Sequence, residues 1–95
     1  MIEHDQVFIT NPDVVVTELD GENESVLLHL GTKRYYTLNE TGVRIWQLLG
    51  EGDTIGNVIR KICTEYEVSS ASAEKSVSEL VHSLLEEALL VKGSL

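Results

Sequence analysis

A chain of 95 residues, 42% hydrophobic and 24% charged, has material for one core and leaves little room for a second domain or a buried active-site cavity. Sixteen acidic residues against seven basic ones give a net charge of −9, which repels phosphate backbones and anionic headgroups, so neither nucleic acid nor a membrane surface is an expected partner; solubility accounts for the acidity. Cys63 is the single cysteine, so no internal disulfide can form, and the N-terminal stretch carries Glu3 and Asp5 where a signal peptide is basic and then apolar. With no apolar run near the roughly 20 residues that span a bilayer, a cytoplasmic protein is expected.

Residues 1–12 show no periodicity and read as a flexible or loosely packed segment. After the turn-forming Asn11-Pro12-Asp13, the β-branched run Val14-Val15-Val16-Thr17 reads as a first strand, ending at Asp20-Gly21. The polar stretch Asp20-Gly21-Glu22-Asn23-Glu24 is a turn. A second strand follows, with Val26, Leu28 and Leu30 alternating with Leu27 and His29. Gly31-Thr32-Lys33 makes a tight connection into Arg34-Tyr35-Tyr36-Thr37-Leu38, an aromatic third strand. Asn39 is an N-cap with Glu40 in the first turn, opening a helix with Val43, Ile45, Trp46, Leu48 and Leu49 on its apolar face and a stop near Gly50 or Gly52. Thr54 caps a second helix, in which Ile55, Val58, Ile59, Ile62, Cys63 and Tyr66 recur at offsets of three and four. Ser69 or Ser70 caps a third, with Ala73, Val77, Leu80, Val81, Leu84, Leu85 and Ala88 at the same spacing. Leu89, Leu90 and Val91 close the chain as a short extended piece or a final turn. The result is a single α+β domain over residues 1–95, a three-stranded antiparallel sheet followed by three helices that cover one of its faces.

Catalytic constellations are absent from this pattern. His4, His29 and His82 sit on different elements without a second ligand at metal spacing, so each reads as a surface or partly buried histidine. Cys63 lies on the apolar stripe of the second helix, where a thiol packs as a small hydrophobe. Glu65 with Glu67, and Glu86 with Glu87, fit a solvated helix face rather than an acid/base pair. Gly50 and Gly52 lack the lysine and strand-to-helix context of a phosphate loop. The serines at 69, 70, 72, 76 and 78 are explained by capping and polar exposure, and Trp46 by core packing. Neither an enzyme nor a cofactor or metal protein is expected. Tyr35 and Tyr36 are consecutive on a strand and face opposite sides of the sheet; whichever faces away from the helices is free to line a groove. A three-stranded sheet also has two edges whose N–H and C=O groups can accept another strand.

The run Leu27-Leu28-His29-Leu30 through Arg34-Tyr35-Tyr36-Thr37-Leu38-Asn39-Glu40-Thr41-Gly42-Val43-Arg44-Ile45-Trp46 resembles the PqqD family, whose members share an "LL-L…G-RYY-LNETG-IW-LL" signature. A Thr-capped helix ending in a "Y-V" pair and a long final helix then follow in that family, here Thr54, Tyr66 with Val68, and Leu84 through Leu90. The resemblance covers the chain from about Val14 onward. It implies a winged-helix-like recognition domain that binds the leader segment of a ribosomally made precursor peptide and presents it to a pathway enzyme such as a leader peptidase, a cyclase or a radical SAM enzyme. The leader is expected to add as a strand beside the third strand and to pack against the third helix. Carried over residue by residue, the binding site comprises Arg34, Tyr35, Tyr36, Thr37 and Leu38 on one side and Val77, Leu80, Val81 and Leu84 on the other. Ser76 stands where the family has an acidic residue, and Ala88 where it has glycine. The Leu38-Asn39-Glu40-Thr41-Gly42 block is more similar to stand-alone leader-binding proteins of lasso-peptide clusters than to the quinone-cofactor pathway member. The competing reading is a winged-helix DNA-binding protein, and the third helix argues against it, with Glu74, Glu79, Glu86 and Glu87 against a lone Lys75. The oligomeric state is left open.

Overall fold

Three side chains set where the helices begin. Asn39, Thr54 and Ser69 each hold an extended backbone and accept a hydrogen bond from the N–H three residues on, at Gly42, Asn57 and Ser72, so each satisfies a donor that the first helical turn leaves unpaired. In the computed structural model, which describes residues 3–19 and 24–93, these caps open α1 (Glu40–Gly50), α2 (Ile55–Glu65) and α3 (Ser70–Glu86). The strands are β1 (Phe8–Thr10), β2 (Val14–Leu19), β3 (Glu24–His29), β4 (Tyr35–Leu38) and β5 (Leu90–Lys92). The third helix thus takes Ser69 as its cap, and the chain closes as an extended piece. Of the turn expected at 20–24, Glu24 instead opens β3, and residues 20–23 lie outside the described residues.

β2, β3 and β4 form an antiparallel sheet in that order, with Val14 opposite His29, Leu27 opposite Tyr36 and Ser25 opposite Leu38. This is the expected α+β architecture, a three-stranded meander and three helices. One further pairing was not expected. β1 runs antiparallel to β5, with Ile9 opposite Val91, and Phe8 is 1% exposed within the core. The expectation of a loose segment through residue 12 is therefore corrected from Val7 to Asn11. Asn11 N–H donates to Leu89 O at 3.0 Å, its side-chain amide donates to Ala88 O at 2.8 Å, and Gly93 N–H donates to Val7 O at 2.9 Å. A three-residue strand is too short to show alternation, and its partner lies at the far end of the chain.

The core joins Phe8, Leu27 and Leu38 to Ile45, Leu48 and Leu49 of α1, Ile55, Val58 and Ile62 of α2, and Ala73, Val77, Val81 and Leu84 of α3. Each fully buried leucine, isoleucine or valine contributes roughly 1.5–3 kcal/mol from dehydration. Trp46 and Cys63 are half-buried at the margin of this core, and the Cys63 thiol donates to Val68 O at 2.9 Å. Arg44 ties α1 to α2 through two bonds to Glu65, 2.8 and 2.9 Å, and these hold the Glu65 carboxyl below the usual carboxylate range. No helix among the described residues is long and apolar enough to cross a membrane.

Candidate functional site

The turn into β4 is built around His29. Its Nδ1 accepts the N–H groups of Gly31 and Thr32 at 3.0 and 3.2 Å, and the side chain is buried rather than at the surface. Lys33 takes a left-handed φ of 64° to complete the turn, and β4 then runs along the edge of the sheet. His29 N–H donates to Arg34 O at 2.9 Å, which sets the parity of the ladder. Arg34, Tyr36 and Leu38 turn their peptide groups toward β3, while Tyr35 and Thr37 turn theirs to the open edge. Side chains alternate with the same period. Those of Tyr36 and Leu38 face the helices, the first half-buried and the second 2% exposed, and Tyr35 points away with 72% of its surface exposed.

β4 and α3 face one another across an open cleft of about 520 Å³. Tyr36, Thr37 and Leu38 form one wall, Ser76, Glu79, Leu80 and Ser83 the other, and Glu24, Asn39, Thr41, Gly42 and Ile45 close the end where β4 runs into α1. Gly42 lets α1 approach β4: a Cβ there would lie 3.2 Å from both Leu38 Cδ2 and Asn39 Oδ1. The charged residues of the lining are Glu24 and Glu79. Beyond the other end of β4, Arg34 Nε contacts Glu87 Oε1 at 3.1 Å, linking the strand to the C-terminus of α3.

Of the residues expected from the sequence, Tyr36, Thr37, Leu38 and Leu80 line this cleft, and Arg34 and Tyr35 flank it on the strand. Val77, Val81 and Leu84 do not, because each is 0% exposed in the core. The groove-facing stripe of α3 is instead Ser76, Leu80 and Ser83, one residue before the core stripe, a rotation of about 100° around the helix. The tyrosine that lines the cleft is likewise the inward one, Tyr36, since the cleft opens on the helical side of the sheet. Ser76, Glu79 and Ser83 were not singled out as site residues because their side chains are polar and match a solvated face; the signal available was their offset of one from the apolar repeat.

Among the described residues, no group of three or more His, Cys, Asp or Glu side chains comes together to hold a metal ion. What the site offers is a strip of backbone donors and acceptors at Tyr35 and Thr37 beside a part-apolar trough, an arrangement that fits an extended peptide.

The family model for coenzyme PQQ synthesis protein D (PqqD) matches residues 24–90. The chain belongs to the PqqD family. The structure of TbiB1 in complex with the TbiA(beta) leader peptide is similar, at 35% identity and a TM-score of 0.78, covering 86% of this chain and 93% of that one. A lasso peptide synthetase B1 complexed with the leader peptide matches at 32% identity and a TM-score of 0.78, covering 88% of this chain and 96% of that one. No curated protein matches the chain. The DNA-binding alternative finds no support in these relatives, and the exposed face of α3 carries Glu74, Glu79 and Glu86.

Proposed function

We propose that this PqqD-family protein binds the leader segment of a ribosomally synthesised precursor peptide as an added strand on β4, and presents the precursor to the enzymes of a lasso-type pathway. The observation that carries the reading is the edge of β4. Outward-facing peptide groups at Tyr35 and Thr37 lie beside a cleft walled by α3, in a chain similar over most of its length to proteins solved with leader peptides. Strand addition supplies orientation. Each backbone hydrogen bond contributes only about 1 kcal/mol net, so apolar anchors must supply much of the affinity. Leader residues opposite Tyr36 point into the cleft, toward Leu80, Leu38 and the Tyr36 ring, while their neighbours lie beside Tyr35 on the outer face. Arg34 flanks the strand at the end tied to Glu87. Val77, Val81 and Leu84 act beneath the site, holding α3 at its distance from the strand.

The protein contributes binding rather than chemistry in this reading. The leader peptidase, cyclase or radical enzyme that acts on the precursor is a separate partner, and no cofactor is needed for leader capture. Calorimetry with the synthetic leader of the cognate precursor is expected to show binding without added metal or nucleotide. The precursor's mass is expected to stay unchanged after incubation with the purified protein. Thr37→Pro removes an outward-facing N–H while leaving the β3 ladder its own donors, and with Tyr35→Ser it should weaken leader binding while the cooperative melt is retained. No binding by the parent at high micromolar leader, or parent-like binding by both folded variants, would refute the assignment.

A further inference from the structure

Ser25 and His29 are the polar side chains buried among the described residues, and the histidine is 8% exposed. Its ring nitrogens meet only N–H groups. Nδ1 accepts from Gly31 and Thr32 at 3.0 and 3.2 Å, so it carries the lone pair and the ring proton sits on Nε2. Nε2 lies 3.3 Å from Asn11 Nδ2. That amide cannot reverse to offer its oxygen, because Oδ1 already accepts from Asp13 N–H at 2.9 Å and Nδ2 donates to Ala88 O at 2.8 Å. Donor therefore faces donor at Nε2, and no hydrogen bond forms there. The opposite tautomer gains the Asn11 bond and loses both turn bonds, so two against one holds the lone pair on Nδ1. Protonating the ring puts a hydrogen on Nδ1, removes both turn bonds and finds no acceptor at either nitrogen. The segments around the ring carry Asp13, Lys33, Arg34 and Glu87. Among the described residues none of these forms an ion pair with it, and Arg34 and Glu87 pair with each other.

The turn held by this ring leads directly into the edge strand. Lys33 N–H donates to His29 O at 2.8 Å and Arg34 N–H to Thr32 Oγ1 at 3.3 Å, so with the two ring bonds every N–H from Gly31 to Arg34 is donated inside the turn. The fit is close: a Cβ on Gly31 would lie 3.0 Å from His29 Cε1. Tyr35 then opens β4 with its peptide groups at the free edge, and Arg34 reaches Glu87 at the end of α3. At the other ring nitrogen, Asn11 holds Ala88, just past the same helix. We propose that the Nδ1 lone pair of His29 positions the start of β4 against the end of α3 for leader capture, and that protonating the ring releases the turn and weakens leader binding. This rests on the leader-binding reading above. Histidine is the side chain that changes charge between about pH 5 and 8. Acidification through that range opposes the folded turn, because the unfolded chain takes the proton without losing these bonds. The other histidines do not share the effect: His4 Nε2 meets Glu74 Oε2 at 3.0 Å, a contact that protonation strengthens, and His82 is exposed.

Calorimetry on the full chain with the synthetic leader of the cognate precursor, from about pH 7.5 down to about pH 5.5, tests this beside His29→Asn. An asparagine Oδ1 takes the place of Nδ1 as acceptor and is not protonated in this range; Asn11 already accepts the N–H of Asp13, two residues on, in this way. The parent should lose about tenfold in leader affinity over the range, and His29→Asn less than about twofold. Titration of the leader itself is common to both. Nitrogen NMR of the parent reads the ring directly and covers the case of a variant that folds poorly. At neutral pH Nδ1 should be the unprotonated nitrogen, and the amide signals of Gly31 and Thr32 should move with the ring's titration while that of Gly42, bonded to Asn39, does not. A lone pair on Nε2, turn amides indifferent to the ring, or a parent-like pH profile in folded His29→Asn each overturns the proposal. Absence of leader binding at any pH refutes the leader reading and this proposal with it, whereas binding by the parent that ignores pH refutes this proposal alone.

Discussion

The two adjacent stripes of α3 differ in kind. Ala73, Val77, Val81 and Leu84 are buried at 0–1% exposure, whereas Ser76, Leu80 and Ser83, one residue earlier at each turn, line the cleft. The first stripe is apolar throughout because every position is dehydrated when the chain folds. The second mixes serine with leucine, as suits a face that stays hydrated beside an open cleft; in the proposed reading Leu80 is its one apolar anchor for the leader. A helix can thus carry a buried face and a cleft-lining face about 100° apart, and hydrophobicity marks only the first.

Substitutions on the two stripes should separate accordingly. Leu84→Ala opens a cavity in the core and is expected to cost about 2–5 kcal/mol, read as a fall in the denaturation midpoint, with leader binding lost only as the fold is lost. An unchanged midpoint would place Leu84 in the groove after all. Leu80→Ala is expected to reverse this pattern. Because the side chain is only half-buried, the melt should move by no more than about 1 kcal/mol while leader affinity drops about tenfold, or about 1.4 kcal/mol, the size expected if Leu80 is one of the few anchors that carry most of the binding energy. Calorimetry beside a thermal melt distinguishes the two, and a pure stability effect at Leu80 would merge the stripes into one.

The smallest effect concerns the end of the same helix. Ala88 sits just past α3 with a left-handed φ of 58°, a conformation that glycine adopts without the Cβ strain. Ala88→Gly should therefore stabilise the protein by about 1 kcal/mol, less the entropy that glycine loses on folding, and leave leader affinity as it was. A destabilised Ala88→Gly variant would show that the helix ending is held by something other than this backbone preference. Glycine was the residue expected here from the family resemblance, and the torsion supplies the physical reason.

What the sequence alone determined was local. Asn39 and Thr54 could be assigned as caps because a cap bonds an N–H three residues away, and the third cap was narrowed to Ser69 or Ser70 for the same reason. The β2–β3–β4 meander was legible because its strands are consecutive, and α3 because its apolar spacing is long and regular. The Leu38-to-Trp46 block pointed to the family and to β4 as the strand of interest. Tertiary structure decided everything that depends on how distant elements meet. Phe8 and Leu90 enter one core only when the two ends of the chain pair, a contact that no local pattern encodes. Tyr35 and Tyr36 are equivalent by alternation until the helices select a face of the sheet, and that choice puts Tyr36 in the cleft and Tyr35 outside it. The groove residues of α3 were hidden for the same reason. Spacing identifies which side chains share a stripe, but only the packing of the helix against α2 and β5 decides which stripe is buried and which is left to line the cleft.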